Sequence, residues 1–254
     1  MTKIAISGCN GHMGRVVESI CAADPSLSIV AGFDILGTGD HDYKVYTTPD
    51  KFTGEVDVVI DFSSPAALTA LLDFGKRRHV PLVLATTGYD EKQLAAIDGA
   101  AAETPIFRSG TMSLGINLLL ELVRRAASVL GESYDVEIVE RHHRRKVDAP
   151  SGTALMLAEA AAAGLPYQPI YTYDREHVRK PRDSKEIGIS SVRGGTIVGD
   201  HEVLFAGRDE VIALTHSAQS REVFAAGAVK AAKFMASVKI PGLYSMADLV
   251  SSIT

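Results

Sequence analysis

Short apolar runs punctuate the first hundred or so residues, and between them apolar positions recur every three or four. The run KIAIS (3–7) stops at Gly8, and Met13, Val16, Val17 and Ile20 then follow at helical spacing. SIVAGFD (28–34), VDVVIDFSS (56–64), VPLVLATTG (80–88) and PIFRS (105–109) read as further strands. The segment 56–64 is nearly all apolar, as strands covered on both faces must be. Helices are predicted at AALTALLDFGKRR, after Pro65, and at DEKQLAAIDGAAAE. This alternation predicts an α/β unit with a doubly wound parallel sheet, extending to residue 113.

Beyond that point the pattern changes. GINLLLELVRRAASVL (115–130) is a long amphipathic helix, and YDVEIVERHH (134–143) alternates as a half-exposed strand does. SGTALMLAEAAAAG (151–164) opens on a Ser-Gly-Thr start and ends on glycine, which marks a helix. KEIGISSVRGG, HEVLFAG and DEVIALTHSA are three strands in succession, predicting a mixed or antiparallel sheet in a second, α+β unit. REVFAAGAVKAAKFMAS (221–237) is a final helix, followed by a short tail, SMADLVSSI.

Composition narrows the classes. Of 254 residues 46% are hydrophobic, enough for a substantial core. A net charge of −5 argues against a general attraction to nucleic acid, so any cationic site must be local. The start, MTKIAISGCN, lacks the layout of a signal peptide, and no apolar run is long enough to cross a membrane. Cys9 and Cys21 form no disulfide framework, so a cytoplasmic location is expected.

Gly8, Gly11 and Gly14 lie between the first strand and the first helix, spaced G-x-x-G-x-x-G. Glycine permits a sharp turn and lets a pyrophosphate approach the first amides of the helix. Asp34 ends the second strand, twenty positions after Gly14, where an acid can bind the ribose hydroxyls of a dinucleotide. An ordinary glycine-rich turn is the alternative, with His12 a turn residue and Met13 a core contact. Ile35 stands where an NADP site usually carries a cation, which tilts the expectation slightly toward NADH over NADPH; Lys44 or His41 remain possible sources of charge. The loops ATTG (85–88) and SGTMS (109–113), and Phe62-Ser63-Ser64-Pro65, follow other strand ends, where ligands of open α/β sheets bind.

The segment ERHHRRKVDAPSGTAL (140–155) packs His142, His143, Arg144, Arg145 and Lys146 ahead of a helix start at Ser151, Gly152 and Thr153. Free amides at a helix start hold carboxylates, and His or Lys beside them can hold a second carboxylate or deliver a proton. That suits a small dianionic substrate. A solvated basic loop is the competing reading. Adjacent histidines do not match common zinc spacing, and no metal is expected.

This segment resembles the signature of the 4-hydroxy-tetrahydrodipicolinate (dihydrodipicolinate) reductase family, E-x-H-H-x-x-K-x-D-A-P-S-G-T-A. The resemblance extends to AISGCNGHMG, VVIDFS, LATTG, SGTMSLGIN, RGGTIVGDHEV and THSAQSREVFAAGAV. It implies reduction of a cyclic imine diacid by NADH or NADPH, with loss of water, in lysine and diaminopimelate synthesis. It implies His142 as proton donor or acceptor, Lys146 as proton donor, His143 as a substrate ligand, and the Gly152 and Thr153 amides as a carboxylate site. Implied cofactor contacts are Gly8, Cys9, Asn10, Gly11, His12, Met13, Gly14, Asp34, Thr86, Thr87, Gly88, Ser109, Gly110, Thr111 and Met112. The implied architecture is a Rossmann domain (1–113 and 222–254) and a substrate and tetramerisation domain (114–221), assembled as a homotetramer. Two departures concern the cofactor: Ile35 after the acid, where the family often has Arg, and Thr111-Met112 in the crossing loop. Another nicotinamide dehydrogenase of amino-acid metabolism, or a non-catalytic NAD-binding sensor, is the rival reading.

Overall fold

The computed structural model describes residues 1–253 and divides into two compact units, Met1–Ser113 with Glu222–Thr254, and Leu114–Arg221.

The first unit carries a seven-stranded parallel sheet. Its strands are β1 (Thr2–Ser7), β2 (Leu27–Phe33), β3 (Val45–Tyr46), β4 (Val58–Asp61), β5 (Leu82–Leu84), β6 (Pro105–Arg108) and β12 (Gly242–Tyr244). They lie in the order β12-β6-β5-β4-β1-β2-β3. This is the doubly wound order, extended by one strand, and it reverses direction beside β1. Helices α1 (His12–Ala22), α2 (Leu68–Arg78), α3 (Glu91–Ala101), α6 (Glu222–Ser237) and α7 (Met246–Ile253) complete the unit. Leu71 and Phe74 of α2 and Ile97 of α3 pack with Ala5, Phe33, Val59, Leu82 and Ile106 in one core. Helix α6 packs on α1 and against β4 and β5. Covered on both sides, β4 is buried at every residue, which is why its sequence is an unbroken apolar run up to Asp61.

Several strands are shorter than the apolar runs that announce them. The chain leaves β4 at Asp61 because its carboxylate accepts hydrogen bonds from the amide (3.2 Å) and hydroxyl (2.5 Å) of Ser63. Such a local turn competes with the sheet ladder. Strands β3 and β12 hold only two and three residues, too few for a periodic signal.

The second unit carries a mixed five-stranded sheet in the order β11-β10-β7-β9-β8. Its strands are β7 (Asp135–His142), β8 (Ile170–Thr172), β9 (Glu186–Arg193), β10 (Gly199–Ala206) and β11 (Val211–Ala218). Strand β7 runs parallel to β9 and antiparallel to β10. Helices α4 (Leu114–Leu130) and α5 (Gly152–Gly164) pack on each other, and Leu119, Val123 and Leu157 bury against Ile138, Ile187 and Phe205. Strand β7 alternates buried and half-buried positions, so Val136, Ile138, Glu140 and His142 share the inner face. An apolar face thus ends in two polar residues, and these begin the site. Among the described residues no helix is long and apolar enough to cross a membrane.

Candidate active site

In the first unit the site is made mostly of backbone. Gly8 ends β1 at φ +78°, in the left-handed region, and a Cβ there would sit 2.6 Å from the Phe62 carbonyl oxygen. A Cβ on Gly14 would meet the Gly8 carbonyl oxygen at 2.2 Å, so α1 lies directly on the turn. Gly11 is the N-cap of α1 and offers no side-chain acceptor, and the first turn holds no acid. The leading amides of α1 therefore point outward without a cap, an arrangement that receives an anion.

Asp34, half-buried at the end of β2, accepts from the amides of Asn10 (3.3 Å) and Leu36 (3.1 Å). It stands beside the glycine turn with lone pairs to spare for ribose hydroxyls. A link absent from the sequence reading fixes this corner. The Asn10 side chain donates to the Thr38 carbonyl (2.9 Å) and meets His41 Nε2 (3.0 Å), and His41 Nδ1 meets Glu18 (3.0 Å). The His41 side chain is fully buried, and Lys44 Nζ lies over the Tyr46 ring, 4.9 Å from its centroid.

The other cofactor candidates differ in what they can offer. His12 is exposed as the first residue of α1, and Met13 is half-buried. The Cys9 side chain is fully buried, and its thiol is pushed up to about 11 by burial and then by Asp34; its backbone alone can face a ligand. Met112 is likewise a core side chain, 5% exposed. Thr87, Gly88 and Gly110 are exposed and Thr86, Ser109 and Thr111 half-buried, all just past the carboxyl ends of β5 and β6. Gly88 adopts φ +84°, and a Cβ there would only touch Pro65, at 4.0 Å. The uncapped amides, the crowded glycines and the half-buried acid fit a dinucleotide.

In the second unit the site is made of side chains. At its centre is Glu140, fully buried, whose two carboxylate oxygens accept the guanidinium fork of Arg193 at 2.7 and 2.6 Å. Burial alone would raise the Glu140 carboxyl. Hydrogen bonds from Arg193, Ser191 and His142 outweigh it and hold the group down at about 2. His142 Nδ1 lies 2.6 Å from Glu140 Oε2, and the ring packs edge-on against His201 at 5.1 Å between centroids. His201 is pushed down to about 4 by burial, then by His142, and its Nε2 meets the Ser151 hydroxyl at 3.0 Å.

Ser151 is the N-cap of α5, its hydroxyl accepting from the Ala154 amide (3.2 Å). That leaves the two preceding amides, of Gly152 and Thr153, without a protein acceptor among the described residues. Gly152 is exposed, with nothing within 4 Å of a Cβ added there. Lys146, in the loop between, pairs with Asp148 at 2.8 Å.

A cleft of about 510 Å³ is lined by His143, Arg144, Arg145, Gly195, Thr196, Val198 and Arg221. His143 Nε2 lies 3.4 Å from Arg221, and its buried Nδ1 has no partner. Eight other arginines among the described residues pair with carboxylates: Arg15, Arg77, Arg124, Arg141, Arg175, Arg182, Arg193 and Arg208. Arg144, Arg145 and Arg221 have no carboxylate among the described residues. Positive charge left unpaired around a cleft favours an anion site over a merely solvated basic loop. His142, Lys146, Gly152 and Thr153 do not line this cleft; only His143 of the expected substrate residues does. The reading from sequence missed Arg193, His201 and Arg221. They lie in the segments RGGTIVGDHEV and THSAQSREVFAAGAV that resemble the family, but their partners are not local, because β9, β10 and the segment before α6 meet the signature only in the folded sheet.

Two family descriptions match the chain, "Dihydrodipicolinate reductase, N-terminus" over residues 2–112 and "Dihydrodipicolinate reductase, C-terminus" over residues 115–250. A 4-hydroxy-tetrahydrodipicolinate reductase of Caldanaerobacter subterraneus subsp. tengcongensis is 52% identical over 250 residues, 98% of each chain. One of Clostridium novyi is 44% identical over 252 residues, 99% of each. Among solved structures, the dipicolinate-bound dihydrodipicolinate reductase from Paenisporosarcina sp. TG-14 shares the fold, with a TM-score of 0.78 at 24% identity over 96% of this chain and 97% of that one. Spanned by both descriptions and matched end to end by such relatives, the chain belongs to the dihydrodipicolinate reductase family.

Proposed function

We propose that this chain reduces (2S,4S)-4-hydroxy-2,3,4,5-tetrahydrodipicolinate to 2,3,4,5-tetrahydrodipicolinate, oxidising NAD(P)H and releasing water, in lysine and diaminopimelate biosynthesis. What supports this reading is the full family signature: His142 ends β7 and His143 follows it, Lys146 lies in the next loop, and Gly152 and Thr153 open a helix with uncapped amides. The substrate class is a small cyclic dianion. Two carboxylates taken from water need charge-assisted partners, and Arg144, Arg145 and Arg221 stand unpaired at the cleft.

The bound dinucleotide supplies the hydride. The glycine turn from Gly8 to Gly14 would hold its pyrophosphate on the amides of α1, Asp34 its ribose, and the loops at Thr86–Gly88 and Ser109–Met112 its remainder. The chain's own residues then bind and protonate. One carboxylate takes the Gly152 and Thr153 amides, and His143 contacts the other end of the substrate. Lys146 leaves Asp148 for the substrate and donates a proton; His142 exchanges a proton through Nε2.

NADH is the preferred reductant in this reading. The extra phosphate of NADPH would face the Asp34 carboxylate, while His41 is buried between Glu18 and Asn10 and Lys44 lies on Tyr46. We further infer a homotetramer in the cytoplasm. Strand β11 is a sheet edge exposing Val211, which suits pairing with another copy, and the free cysteines suit a reducing compartment.

The test is a coupled assay with the upstream synthase, pyruvate and aspartate semialdehyde, following loss of NADH absorbance. Turnover that needs both the synthase and this chain supports the reading; none in the presence of fresh synthase product contradicts it. A lower KM for NADPH than for NADH would overturn the cofactor preference, and light scattering tests the tetramer.

A further inference from the structure

We infer that the buried Glu140–Arg193 ion pair is the positioning element of the site, setting the tautomer of His142 and holding three substrate-facing segments in one register. The inference rests on the proposed roles of His142, Lys146, Gly152 and Thr153. One carboxylate, with no access to water, accepts from Arg193, Ser191, His142 and the Ser151 amide. Its Oε2 takes His142 Nδ1 (2.6 Å) and Arg193 (2.7 Å). Its Oε1 takes Arg193 (2.6 Å) and the Ser151 amide (3.2 Å), the residue that caps α5 immediately before Gly152. The same Arg193 nitrogen that binds Oε1 donates to the Asp148 carbonyl (2.6 Å), in the residue whose side chain pairs with Lys146. Two residues thus reach the histidine, the lysine loop and the carboxylate-binding turn.

The chemistry of the donors makes this more than packing. An ionised carboxylate only accepts, so in the neutral ring Nδ1 of His142 carries the proton and Nε2 is left bare to exchange one with a ligand. The space beside Nε2 is kept by Gly199, whose added Cβ would lie 3.0 Å from that nitrogen. Arg193 and the Ser151 amide cannot become acceptors, whereas His142 can. If Glu140 becomes an amide, its NH₂ meets one arm of Arg193 in either orientation; the oxygen is better placed at Oε1, where it keeps the other arm of Arg193 and the Ser151 amide. Its NH₂ then faces His142, which must move its proton to Nε2, the wrong nitrogen for exchange.

The experiment compares Glu140→Gln with the wild type in the coupled assay, in NADH binding by fluorescence, and in the ¹⁵N spectrum of the His142 ring. The expected result is a kcat about 10²-fold lower, as for a misplaced catalytic group. NADH affinity, a property of the other unit, stays within roughly twofold. The ring signals invert from Nδ1–H to Nε2–H. If Glu140→Gln does not fold, Glu140→Asp keeps the charge for Arg193 but withdraws the carboxylate by one methylene, and loss of kcat and of the pure Nδ1–H signature is expected there too. Wild-type kcat in a folded variant, or loss of kcat with the Nδ1–H signature intact, overturns the inference. Failure of the wild type itself on fresh synthase product would instead refute the proposed function, leaving the ring spectrum to report on Glu140 by itself.

Discussion

The two units would hold an anion with different materials. The first unit offers backbone: three glycines, the uncapped amides of α1 and one half-buried acid. The second unit adds to its own uncapped amides a set of ionisable side chains in or near its interior, Glu140, Arg193, His142 and His201, and a cleft lined by unpaired arginines. A backbone site is sensitive to added atoms and indifferent to most side-chain chemistry. A side-chain network is sensitive to any change of charge or hydrogen bonding, because each member left unpaired in the interior is costly. The units should therefore fail differently under mutation.

The largest expected effect is on proton transfer. Lys146→Ala should lower kcat by roughly 10²–10⁴, the usual range for loss of a general acid, with unchanged NADH affinity. Wild-type turnover would remove Lys146 from the chemistry. Next is the backbone site. Gly8→Ala puts a Cβ at φ +78° and 2.6 Å from the Phe62 carbonyl. At about 1–3 kcal/mol of strain, the KM for NADH should rise roughly 5- to 150-fold with substrate KM unchanged. A selective rise in substrate KM would contradict the division of labour. Thr153→Ala should act more mildly and on the other ligand, raising substrate KM and leaving kcat nearly unaltered; an effect confined to kcat would refute a binding role.

The smallest effect distinguishes the networks by pH. His201 is held near 4 in the fold against 6.5 for the free side chain, by burial and then His142. As pH falls through that interval the unfolded chain takes up a proton that the folded chain refuses, so stability declines, by at most about 1.4 kcal/mol per pH unit. Glu140, held near 2 against 4.5, acts below that range: its stabilisation is complete above 4.5 and disappears as pH drops toward 2. Urea unfolding of His201→Gln should show a shallower decline between pH 6.5 and 4 than the wild type. An identical slope would mean His201 is not buried as a neutral ring.

The same contrast explains what was legible in the sequence. The parallel sheet was readable because each βα step is written locally, as an apolar run, a break and helical spacing. The geometry of the glycine turn was readable because it depends on spacing within seven residues, and the place of Asp34 because a strand end fixes its distance from that turn. What escaped was either too short for periodicity, as with β3, β8 and β12, or assembled from distant segments. Glu140 and Arg193 lie 53 positions apart and meet because β7 and β9 are parallel neighbours, with His142 opposite Arg193 in register. Arg193 opens the family-like segment RGGTIVGDHEV, but that segment does not say which carboxylate the arginine meets. The alternation of β7 did contain a clue: Glu140 and His142 continue the inward face of Val136 and Ile138, and polar residues on a core face require partners.

In the proposed reaction, cations and bare helix-start amides of the second unit grip a doubly negative ring beside Lys146. A crystal structure of the chain with NADH and pyridine-2,6-dicarboxylate is the decisive experiment. One carboxylate is expected on the Gly152 and Thr153 amides, with the ring within hydrogen-bonding reach of Lys146 and His143. A ring bound elsewhere, with Lys146 still paired to Asp148 and those amides facing water, would contradict it.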